Sequence, residues 1–143
     1  MVRKYEWSLL VVRVILGITF LVHGVAKFQM GLGNVAGYFQ SLGIPGFLGY
    51  VVALIEFIGG VALILGLGTR IVSALVGVVM IGAIFTAKLP AGFMGNGTAA
   101  GYELDLALLC MAVALIFSGS QFYALDSKLF GSGKEEATTR QIS

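Results

Sequence analysis

Residues 7–28 read WSLLVVRVILGITFLVHGVAKF, an apolar run that contains Arg13, His23 and Lys27. Its length matches the about 20 residues that a helix needs to cross a bilayer. Its polar residues share a side: His23 and Lys27 stand one helical turn apart, and Arg13 falls within about 80° of both at about 100° per residue. A charged residue at mid-membrane costs roughly 2.5–3.5 kcal/mol on insertion scales, so such a face belongs against other helices or a wet cavity. The run reads as a mature helix rather than a cleaved secretory signal, because Arg13 interrupts it and no small-residue cleavage pattern follows His23-Gly24-Val25-Ala26-Lys27.

Composition extends this reading to the whole chain. Of 143 residues, 58% are hydrophobic and 11% charged, and the mean hydropathy is +0.98. These values exclude an ordinary soluble domain. The length accommodates about four spans and no soluble catalytic domain beside them. Further spans are expected at 47–67, 71–87 and 102–122. The predicted fold is an all-α membrane protein, a four-transmembrane-helix bundle with a short interfacial helix between spans one and two. In that piece Asn34 is expected to cap the helix, Val35, Phe39 and Leu42 share a face, and Gly43 with Pro45 ends it. Residues 1–130 form one domain, and 131–143 a polar, flexible cytoplasmic tail. The net charge of +2 points to no nucleic-acid partner.

Counting basic residues near span ends orients the bundle. Arg3, Lys4, Arg70, Lys128, Lys134 and Arg140 fall on one side, which the positive-inside rule makes cytoplasmic together with both termini. This sorts the remaining charges by depth. His23, Lys27, Glu56, Lys88 and Glu103 gather in the outer half, with Arg13 below them. Gly59 and Gly60 follow Glu56 at i+3 and i+4, so a neighbouring helix can approach the carboxylate closely. Glu103 and Asp105 point to opposite sides, and Glu103 is taken as the inward-facing acid because Leu104 and Leu108 mark a lipid-like sector. The order Arg13, Lys27, Glu56 is echoed by Arg70, Lys88, Glu103, a candidate internal repeat. Tyr5, Trp7, Tyr102 and Tyr123 read as interface anchors.

The succession Arg13, His23-Gly24-x-x-Lys27, Pro45, Glu56-x-x-Gly59-Gly60, Gly66-x-x-Thr69-Arg70, Gly101-Tyr102-Glu103 and Leu125-Asp126 resembles the DoxX family of small membrane proteins, over Arg13 to about Leu129. Within the family the chain looks closest to bacterial members associated with resistance to catechols and quinones. The resemblance implies an oxidoreductase-like role; relatives include a subunit of a thiosulfate:quinone oxidoreductase and a partner in a membrane complex for thiol and oxidative stress. The chain departs from the family pattern in having Ser118-Gly119-Ser120 where a Gly-Pro-Gly-like turn is common, and Ala124 where Ser precedes Leu-Asp.

The residues suit that chemistry in part. An ortho-quinone is flat and apolar, and its carbonyl oxygens gain charge on reduction, which Arg13, Lys27 and Glu103 at a substrate site can orient or stabilise. His23 and Glu56 are the candidate catalytic pair, exchanging the hydroxyl proton; Phe20, Phe28 and Phe57 can stack on the ring. Electrons are the gap. One His and one Cys cannot build a structural zinc site, a bis-His haem or an iron–sulfur cluster, and Cys110 stands alone. The expectation is therefore no metal and no intrinsic cofactor, with a bound quinone, a redox partner protein, or both. Two function classes stand: a membrane oxidoreductase component that acts on quinone or catechol-like compounds in their detoxification, or a small permease or membrane scaffold for aromatic-compound resistance. The same charges also suit a structural network that fixes helix register.

Overall fold

The computed structural model describes residues 2–121 and 123–126; the expected tail 131–143 lies outside them. The helices are α1 (Val2–Met30), α2 (Leu32–Ser41), α3 (Phe47–Leu65), α4 (Thr69–Ala83) and α5 (Glu103–Ser118). α4 runs on through a π-helical turn, Ile84–Lys88, and a 3-10 turn, Leu89–Ala91. Among the described residues there is no strand, only an isolated bridge between Gly95 and Ala100.

Three helical stretches are long and apolar enough to cross a membrane: Lys4–Met30, Phe47–Leu65 and Thr69–Ala91. α5 has 16 residues, about 24 Å at 1.5 Å per residue, against a hydrocarbon core of about 30 Å. The apolar run expected at 102–122 is thus helical over less than its length. It stops because Gly119 turns to φ 64°, a conformation only glycine adopts without strain. Asn34 also differs from expectation. Gly31 precedes α2 as its cap, and the Asn34 amide donates to the Met30 carbonyl at 2.7 Å, closing the end of α1 instead.

α1 packs chiefly on α3, and α4 on α5. The first contact is made by backbones. A Cβ at Gly24 would lie 2.6 Å from the Phe57 nitrogen, one at Gly60 2.5 Å from the Leu21 nitrogen, and one at Gly17 2.8 Å from the Gly60 carbonyl oxygen. With no such atoms present, the two helices meet at a distance that other residues forbid. The second contact is made by side chains: a Cβ at Gly77 would sit an ordinary 3.7 Å from Leu109 Cδ1. Leu16, Phe20, Leu63, Val76, Met80, Leu108, Ala112 and Leu115 join the two hairpins in one core. Val11, Ile18, Val22, Ile58, Ile71 and Val78 face outward, as the surface of a bundle solvated by lipid does.

Candidate functional site

Lys27 on α1 and Glu56 on α3 meet at 2.7 Å, an ion pair that is also a hydrogen bond. The glycines make this meeting possible, since Gly60, one turn from Glu56, and Gly24, just short of one turn from Lys27, are the points where the backbones touch. Glu56 is 4% exposed, whereas the Lys27 side chain keeps 21%. The carboxylate is therefore enclosed and the ammonium stands at the mouth. Beside the pair, Phe28 and Phe57 meet edge to face at 5.6 Å, and with Val25 and Gln29 they line a shallow apolar groove. Phe20 instead lies in the core at 1% exposure.

A second pair lies toward the same end. Lys88, at the close of the π turn, approaches Asp105 at 3.3 Å, with the Lys88 side chain 30% exposed. Asp105 is 6% exposed and shares the buried face of α5 with Leu108, Ala112 and Leu115. This reverses the expected choice of inward-facing acid: Glu103 is exposed and Asp105 faces the core. The reason is that Leu108 belongs to the core while Leu104 is exposed, so the two leucines do not mark one lipid-facing sector. The acid paired with Lys88 is thus Asp105 and not the Glu103 of the candidate repeat.

Arg13 is not part of this end. It lies 14 residues before Lys27 on one helix, about 21 Å along the axis at 1.5 Å per residue. Arg13 is 1% exposed, and its guanidinium donates to the Ser120 carbonyl and hydroxyl, both at 3.2 Å, and to the Tyr123 carbonyl at 3.0 Å. The chain past α5 thereby folds back against the α3–α4 turn. There Gly66 (φ 75°) and Gly68 (φ 57°) supply the left-handed positions, a Cβ on Gly66 would strike Ala124, and Asp126 accepts from the Gly68 N–H at 2.7 Å. Arg70 adds a contact to the Ser118 carbonyl at 3.4 Å, and Trp7 packs on Tyr123 with ring centroids 6.0 Å apart. In the sequence the clasp is marked only through the family pattern, whose Arg13, Gly66-x-x-Thr69-Arg70 and Leu125-Asp126 all fall in it.

His23 is exposed and has no hydrogen bond or ion pair among the described residues. It shares α1 with Lys27 but does not reach Glu56 as a proton partner. Of the five expected site residues, the structure joins Lys27 with Glu56, sets Arg13 at the far end and leaves His23 and Glu103 on the surface. Among the described residues no three His, Cys, Asp or Glu side chains cluster as metal ligands would.

The chain is 46% identical over 132 residues to a Bacillus subtilis protein named "Putative oxidoreductase CatD", covering 92% of this chain and 94% of the relative. It is 32% identical over 132 residues to an uncharacterized membrane protein of Mycobacterium tuberculosis, covering 85% and 81%. The inner membrane protein YqjF of Escherichia coli is 34% identical over 70 residues, covering 49% and 53%. No solved structure matches. The DoxX family pattern matches residues 8–89, which hold α1 to α4 with Arg13, Lys27 and Glu56, and the chain belongs to the DoxX family of membrane proteins.

Proposed function

We propose that this protein is a membrane oxidoreductase component acting on quinone or catechol-like compounds, and that it contributes to their detoxification. The observation that carries the reading is the Lys27–Glu56 pair, enclosed between two apolar helices with its ammonium at the mouth; intramembrane charge of this kind is by default functional. The relative named as an oxidoreductase, matched over nearly its whole length, supports the same class. Interconversion of an ortho-quinone and a catechol moves two electrons and two protons. Lys27 suits the oxygen that gains charge, Glu56 the exchange of a hydroxyl proton, and Phe28 with Phe57 the flat ring. The electrons pass to or from a membrane quinone or a partner protein. His23 enters this scheme only from the outward face of α1, as a relay to the surface, and Glu103 only as an acid at the rim.

The same reading takes α5 as a fourth, short span, α2 as an interfacial helix, and the Arg70 turn with both termini as cytoplasmic in the cell membrane, by the positive-inside rule. A second reading, a permease or scaffold for aromatic-compound resistance, is favoured by the outward position of His23, which deprives Glu56 of its proton partner.

Purification in detergent followed by solvent extraction and turnover assays separates the two. A co-purifying quinone, and turnover that falls about 100-fold in Glu56→Gln, are expected. Protein free of quinone and inactive both alone and with membranes would overturn the oxidoreductase reading. Flux of unaltered catechol in proteoliposomes would establish the permease.

A further inference from the structure

Asp105 lies buried in an apolar bundle, yet its Oδ2 receives no hydrogen bond among the described residues. The Lys88 ammonium at 3.3 Å balances the charge without being aligned as a donor. Buried carboxylate oxygens in native proteins are nearly always satisfied by protein, water or ligand donors, so this oxygen has an acceptor position to fill.

Its position says where. The main core cluster ends toward this side with Phe20 on α1, Met80 on α4 and Leu108 on α5, and Ala53 and Ile84 are buried further out. Asp105 stands one turn beyond Leu108, and Glu56 one turn beyond Gly60, whose missing Cβ abuts Leu21 next to Phe20. Both acids thus lie in the layer just past that cluster, and Lys27 and Lys88, each partly exposed, lie toward the mouth. The helix is also modified here. The π turn Ile84–Lys88 re-aims Lys88 relative to a continued α-helix, and such single turns recur at functional sites. Each pair is neutral overall and offers one ammonium donor and one carboxylate acceptor, which matches an oxygen that itself both accepts and donates: a hydroxyl on an otherwise apolar ring.

We propose that Lys88 and Asp105 form a second polar contact of the ligand site, Asp105 Oδ2 accepting a ring hydroxyl while Lys88 donates to a ligand oxygen. The inference rests on the reading of this end as a site for quinone or catechol-like compounds. It is tested with the full chain in lipid nanodiscs, by titrating catechol and 1,2-dimethoxybenzene, which keeps the ring and both oxygens but has no O–H to donate. The intact protein is expected to bind catechol about tenfold tighter, the size of one charge-assisted hydrogen bond. Lys88→Leu combined with Asp105→Leu removes both charges and leaves neither orphaned; it should bring the two affinities together, with catechol losing more than dimethoxybenzene, which loses only the Lys88 contact. If that variant does not fold, Asp105→Asn reads the same ratio and should reduce it severalfold. Retention of the tenfold ratio in either variant, or equal binding of both compounds by the intact protein, would overturn this inference alone. Failure of the intact protein to bind either compound would overturn the ligand reading and this inference with it.

Discussion

At one end of the bundle Arg13 is enclosed and directs its donors to the carbonyls of Ser120 and Tyr123 and the hydroxyl of Ser120. At the other, Lys27 and Lys88 each face one carboxylate and keep part of the side chain open. Both ends hold charge among membrane-spanning helices, but the first has its partners inside the chain and the second has donor capacity left over. An ammonium carries three donors, and one carboxylate does not use them all. Intramembrane charge is thus a structural clasp where it is enclosed among oxygens of its own chain, and a candidate site where part of the charged side chain stays open.

The largest effect that tests this contrast is at the clasp. Arg13→Leu leaves the Ser120 and Tyr123 carbonyls and the buried end of the segment without their donor, and should cost about 3–5 kcal/mol, as loss of one partner from a buried charged network does. Thermal unfolding in detergent reads it. A variant as stable as the parent but defective in ligand binding would move Arg13 from structure to function and erase the contrast.

Next is the open end. Glu56→Leu alone strands the Lys27 ammonium against an apolar wall, with an expected cost of about 2–4 kcal/mol, less than at the clasp because Lys27 is partly exposed and can turn outward. Adding Lys27→Met should recover most of the stability. Turnover should not return. Recovery of both stability and turnover in the double variant would make this pair a clasp as well.

Much of this contrast was legible in the chain. The Lys27–Glu56 contact follows from antiparallel spans, a shared depth and the Gly59-Gly60 step that lets α1 come close; the structure assigns the close approach to Gly60, while Gly59 turns to Val72 on α4. The polar face expected of Arg13, His23 and Lys27 together is split, Arg13 buried and His23 exposed, and the partner of Arg13 was hidden, because angular position around a helix says nothing about a segment that folds back from 107 residues later. The choice between Glu103 and Asp105 turned on whether Leu108 faces lipid or core, and in a bilayer both surroundings favour the same residue types. Ala112 and Leu115, in register with Asp105 and Leu108, were the usable signal: a small residue on an apolar stripe marks helix contact. The early end of α5 was hidden for the same reason, since its apolar run continues to Phe122 while the backbone does not.

The backbone contact that creates the open pair can be loosened without touching a charge. Gly60→Ala places a Cβ against the Leu21 nitrogen and the Gly17 carbonyl, two backbone atoms that cannot swing aside. The expected cost is about 1–3 kcal/mol, with the Lys27–Glu56 distance lengthened and turnover reduced. Gly59→Ala meets Val72 Cγ1 at 3.2 Å, a side chain that can shift by a few tenths of an ångström, and should cost less. Equal effects of the two would deny that α1–α3 contact is what builds the site.

The smallest structural effect is expected at His23, and it is informative for that reason. An exposed imidazole with no partner among the described residues should be removable as His23→Ala for under about 0.5 kcal/mol of stability. Stability therefore does not confuse the functional reading, as it does at Arg13 and Glu56. If His23 relays protons between the Glu56 end and the surface, turnover in His23→Ala should fall about tenfold to 100-fold. A bulky apolar substitute, His23→Phe, should fail in the same way, since a relay needs a titrating group and not a packed surface. Unchanged turnover in both variants would confine the chemistry to the paired residues of the interior and leave the outward face of α1 to lipid.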